Sequence, residues 1–187
     1  MFAFPQGFSP VLKTFFQPNL PRSPWQQVAL LILRGIVGAV MIHNGFDKLA
    51  DIEGFASAYV EVIGLPFPIF FAYVAAFTEL GGSVLLILGF LTRAAAFGLF
   101  STMAVAVFHH IKVAGFSIPY LELSVLYAAC FLFLSVNGPG WYSLDQLIHQ
   151  WLENRTQNQQ AERIESLHQS FQVTERMMEV SEDAVKR

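Results

Sequence analysis

A single cysteine, Cys130, leaves no partner for an internal disulfide and no C-x-x-C pair for dithiol or zinc chemistry. Charge is scarce too: Asp, Glu, Lys and Arg together make up 13% of the chain, and the formal net charge is −3. The Lys and Arg residues are scattered, so nothing would track a phosphate backbone and nucleic acid is excluded as a partner. A Gly-rich phosphate loop, a flavin or nicotinamide fingerprint and a nucleophile with a paired base are all missing, which argues against an independent enzyme. What abounds is apolar. Hydrophobic residues make up 54% of the 187 positions and 19 are Phe, more than a small water-soluble domain can bury, so the expectation is a polytopic membrane protein and not a disordered chain.

Four segments, at 25–49, 67–90, 92–113 and 119–137, pass the length of roughly 20 apolar residues needed to cross about 30 Å of hydrocarbon. They predict an all-α fold, an integral membrane four-helix bundle over 25–149. Only Gly89 to Thr92 separates the second span from the third, and Gly115 to Pro119 the third from the fourth, so each pair must be antiparallel neighbours. Lys13, Arg22, Arg93 and Arg155 fall on the side of the termini, against Lys48 and Lys112 on the other, and the positive-inside rule therefore places both termini in the cytoplasm.

Two unlike tails flank the bundle. Residues 1–24 are rich in Pro and Phe, lack the basic start and cleavage site of a secretory signal, and read as an interfacial arm or a disordered tail. After the fourth span, NGPGWYSLDQLIHQWL breaks the helix at Pro139 and supplies Trp141, Tyr142 and Trp151 for an aromatic belt. Residues 150–187 are polar and amphipathic. Ile164, Leu167, Phe171, Thr174, Met178, Ser181 and Val185 recur on alternating steps of three and four, which suits either a solvated helix or one that docks on a membrane protein partner or on itself through Ile164, Leu167, Phe171 and Met178.

Ionisable side chains inside hydrocarbon are costly and usually face a bundle interior, so they carry most of the functional information. Counted from the span ends at about 1.5 Å per residue, Arg34 and Glu79 come out at about 13 and 16 Å, close enough in height to pair. His43, His109 and Glu122 gather at about 22 to 27 Å, toward the outer leaflet. At 100° per residue Arg34, Gly38, Met41, Gly45 and Lys48 share one face of the first helix, whose glycines permit close approach of a neighbour, while His43 and Asp47 lie opposite. In the third span Ala94, Gly98, Thr102 and Ala106 form a small-residue ladder expected to be a packing seam, and one of His109 and His110 should face the core. The expected site is thus Glu122 with His109 or His110, floored by the polar core of Arg34, Glu79 and Lys48. No metal is expected, because a structural metal would need three or four convergent ligands.

The runs LRGIVGAVMIHNGFDKL and TELGGSVLLILGFLTR, with Glu122 and GPGWYSLD, resemble the DoxX family of small four-helix bacterial membrane proteins. The matching residues are Arg34, Gly45, Lys48, Glu79, Gly81, Gly82, Thr92 and Arg93, and the resemblance runs from about Val28 to Leu147. It implies the fold first. It also implies an association with membrane oxidoreductase complexes, a thiosulfate to quinone oxidoreductase subunit among them. Two functions follow as expectations: an accessory subunit of a quinone-linked redox complex, with quinone as the one candidate cofactor and none intrinsic, or a non-catalytic scaffold or assembly factor. A plainer alternative is that Arg34, Glu79 and Glu122 only fix helix register.

Overall fold

A computed structural model describes residues 23–185 of the chain. Helix α1, Pro24–Ala50, opens on a proline whose missing N–H costs nothing at the first helical position. It is followed by the short α2, Ile52–Phe55, which runs into a π-helical turn, Ala56–Glu61. Helix α3, Pro68–Leu88, stops at Gly89, whose φ of 69° sets the left-handed cap that lets its N–H reach back to the last carbonyls. Helices α4, Thr92–Ala114, and α5, Ile118–Asn137, follow, and α6, Leu144–Val185, is the last. The four spans thus begin and end within two residues of the expected positions, since hydropathy fixes them strongly.

α1 packs on α3, α3 on α4 and α4 on α5, as the short connections require. Leu30, Val37 and Met41 of α1, Leu86 of α3, Leu99 and Met103 of α4, and Phe131 and Leu134 of α5 close one apolar core. The outer surface is apolar as well, with Ile36, Phe70, Phe77, Phe97, Phe108 and Leu126 all exposed. In water that surface would be untenable. Against acyl chains it is matched, and the chain is an integral membrane protein whose four long helices contact the lipid bilayer.

The face shared by Arg34, Gly38, Met41 and Gly45 is buried as expected. A Cβ on Gly38 would fall 2.5 Å from Ile87 Cγ1, and one on Gly45 would fall 2.7 Å from Leu80 Cγ, so these glycines set how closely α1 approaches α3. The small-residue ladder of α4 behaves differently. Its packing seam is Ala95, Ala96, Leu99 and Met103, whereas Ala94 is exposed and Gly98, Thr102 and Ala106 line a cavity. Small side chains here leave space instead of closing it.

From Ile148 onward the chain forms a separate compact unit. Ile164, Leu167 and Phe171 are exposed on α6, while the expected N-terminal arm over residues 1–22 and the side chain of Met178 lie outside the described residues.

Candidate functional site

Two groups of charged residues sit inside the bundle, and they do not meet. At one end Arg34 donates from its two terminal nitrogens to the carbonyls of Pro139 and Tyr142, which the break after α5 leaves without helical partners. Asp145 completes the arrangement. Its carboxylate accepts from the N–H of Leu91 at 2.8 Å and from the N–H and hydroxyl of Thr92 at 3.0 Å, capping α4 from a distant part of the chain. The Asp145 N–H donates to Gly89 O at 2.9 Å, and Gln27 Oε1 accepts from Trp141 N at 2.8 Å. Arg34, Gln27 and Asp145 are each about 1% exposed, so this cluster is sealed.

The expected Arg34–Glu79 pair does not form. Gly38 lies against Ser83 and Ile87, and Gly45 against Ala76 and Leu80, a register that puts Arg34 level with Gly89 and about 15 Å along the axis from Glu79. Depth counted from the span ends assumed that the ends are flush, but α1 has 27 residues and α3 has 21. Glu79 instead accepts from Lys48 Nζ at 2.6 Å. Lys48 stands about one turn beyond Glu79 on this register, and its side chain leans back toward the N-terminus of α1 as helical side chains do. The same ammonium lies 3.5 Å from Asn44 O and 5.2 Å from the centre of the Phe55 ring.

Around this pair lies a cavity of about 750 Å³. Asn44, Asp47 and Lys48 line it from α1, Phe55, Tyr59 and Ile63 from the α2 and π-helical segment, Thr78 and Glu79 from α3, Ser101, Thr102, His109 and His110 from α4, and Ser124 and Tyr127 from α5. Val74, Ser101 and Val105 line it too while exposed on the outer faces of α3 and α4, so the cavity opens sideways toward the acyl chains. Asp47 and Asp51 mark a second mouth at the end of α1. This volume falls in the range of ligand pockets, about 300–1,000 Å³.

Both histidines line the cavity, but they differ. His109 is the buried one, 7% exposed, with its ring 4.5 Å from Tyr59 and 5.4 Å from His110. Its Nε2 lies 3.1 Å from Ala58 O, and since a carbonyl can only accept, the nitrogen donates. The acceptor belongs to the π-helical turn, a local geometry that frequently marks functional positions. Glu122 does not join them. It is exposed on α5, and its neighbours Leu123 and Ser124 line the cavity instead, because successive residues rotate by about 100°. His43 pairs with Asp47 at 3.3 Å on the exposed side of α1, as its position opposite Arg34 requires.

A sequence profile of the DoxX family matches residues 29–111, which hold the first three spans with Arg34, Lys48, Glu79 and both cavity histidines. The inner membrane protein YphA of Escherichia coli K12 is 34% identical over 126 residues, covering 64% of this chain and 89% of that protein. The inner membrane protein YqjF of the same organism is 28% identical, covering 66% of this chain and 95% of that protein. The chain belongs to the DoxX family. No solved structure matches it significantly.

In this DoxX protein the residues that carry the resemblance divide between the two polar groups. Arg34 and Thr92 build the sealed one, and Lys48 and Glu79 the open one. Sequence reasoning missed Gln27, Asp145 and Tyr59. For Asp145 a signal existed: Leu91, which precedes α4, is not a side-chain capping residue, so a cap had to come from elsewhere. Tyr59 gave none, since it sits in a connection with no periodic pattern of its own.

Proposed function

We propose that this DoxX protein is an accessory subunit of a quinone-linked redox complex in the bacterial inner membrane, and that its cavity holds the head of a quinone-class molecule. The observation that supports this is a cavity about 750 Å³ in volume, open sideways to lipid, with the Lys48–Glu79 ion pair on its wall. A lipid-soluble ligand needs such lateral access, and an ionic pair within membrane depth by default marks a functional site. The residues fit a quinone head: Tyr59 and Tyr127 offer aromatic faces, and polar side chains of α3, α4 and α5 surround the ring space. A quinone would supply two-electron redox chemistry when bound. The chain's own residues orient it, exclude water and keep charge near its oxygens. With both termini cytoplasmic, the Asp47 and Asp51 mouth faces the outer side.

Native mass spectrometry of gently purified protein, followed by lipid extraction, tests the reading. A co-purifying quinone in near-stoichiometric amount is the expected result, and protein that binds no quinone even when one is added overturns it. A second reading, a scaffold or assembly subunit, rests on the exposed Ile164, Leu167 and Phe171 of α6. Loss of a stoichiometric protein partner on truncation after Glu153, with no quinone present, would favour it.

A further inference from the structure

We infer that the cavity recognises a ligand that donates hydrogen bonds, the hydroquinone or phenol form of an aromatic head, in preference to a carbonyl-only quinone. The inference rests on the cavity reading above and deepens it. Glu79 is 1% exposed and lines the cavity. Its Oε2 is held by Lys48 at 2.6 Å, while Oε1 carries no hydrogen bond among the described residues. A carboxylate oxygen is an acceptor only, so what it lacks is a donor.

The surrounding donors are already engaged. Lys48 directs its ammonium to Glu79 and lies against Asn44 O and the Phe55 ring. Ser101 and Thr102 donate their hydroxyl protons to carbonyls of their own helix, each at 2.9 Å. His109 donates from Nε2 to a backbone carbonyl. These hydroxyls keep lone pairs facing outward from their bonds, so this part of the wall offers acceptors. A quinone carbonyl brought against Glu79 Oε1 would set two acceptors face to face in a medium of low dielectric, whereas a hydroxyl there makes a charge-assisted hydrogen bond. Sites built around an unmatched polar group reject the analogue that cannot satisfy it far more strongly than a purely apolar pocket does.

The test is a ligand series titrated by calorimetry into the full chain in nanodiscs: a short-tailed benzohydroquinone kept reduced, its oxidised quinone, and its dimethyl ether, which keeps the ring but has no donor. The hydroquinone should bind at least about tenfold more tightly than the other two. Equal affinities, or a preference for the quinone, overturn the inference and leave the cavity reading standing. Failure of all three to bind overturns the cavity reading, and this inference falls with it. In the double variant Lys48→Met with Glu79→Leu, which removes both charges together, the discrimination should shrink below about threefold. Should the tenfold preference persist in that folded variant, Glu79 is not its source. If the variant does not fold, the series on the unmodified chain decides alone.

Discussion

Arg34 with Asp145 and Lys48 with Glu79 are both sets of opposite charges inside one hydrocarbon-embedded bundle, yet their surroundings differ completely. The first set satisfies backbone groups that helix breaks leave open, and protein encloses it on every side. The second touches a cavity that reaches both lipid and the end of α1. Enclosure suits a structural role, because a sealed charge has no room for a ligand. Openness suits binding. Family resemblance alone could not separate the two, since both sets lie among the residues that carry it.

The largest effect should come from Arg34→Met. It strands the carbonyls of Pro139 and Tyr142 and removes the charge that Asp145 faces, so we expect a loss of about 3–5 kcal/mol and little folded protein. Detergent-exchange unfolding and the yield of monodisperse protein measure it. Glu79→Leu alone should cost about 2–4 kcal/mol by leaving the Lys48 ammonium unpaired, while the double change with Lys48→Met should recover most of that. A double variant as damaged as the sum of the singles would show that the two do not act as a pair.

Asp145→Ala is expected to cost about 2 kcal/mol, because Leu91 N, Thr92 N and the Thr92 hydroxyl lose their acceptor together. Increased hydrogen exchange at the first turn of α4 should accompany it. A stable protein with that turn still protected would break the contrast, for the sealed cluster would then not hold the helix end. The smallest effect belongs to Glu122→Gln. Exposed on α5 and outside the cavity, it should change stability by less than about 0.5 kcal/mol and leave ligand affinity unchanged.

How much of this was legible in the sequence depended on whether the deciding rule was local. The four spans and the buried face of α1 follow from hydropathy and the 100° repeat, and the structure has them where those rules put them. The Arg34 partner was misread because pairing needs the register between helices, and that register is set by where Gly38 and Gly45 meet Ser83–Ile87 and Ala76–Leu80. His109 was a candidate, but only the placement of Ala58 and Tyr59 distinguishes it from His110. Glu122 had the right depth and the wrong rotation. The ladder of Gly98, Thr102 and Ala106 was visible as small residues, but smallness serves close packing and open space alike.

The most direct test of the division between a sealed cluster and an open one is photolabelling with an azido-quinone in membranes, with the modified peptides identified by mass spectrometry. Labelling should fall on segments that line the cavity, around Thr78–Glu79 and Ser101–His110, and excess unlabelled hydroquinone should suppress it. Label concentrated on 138–145 beside Arg34, or spread over the outer faces and insensitive to competition, would contradict the account.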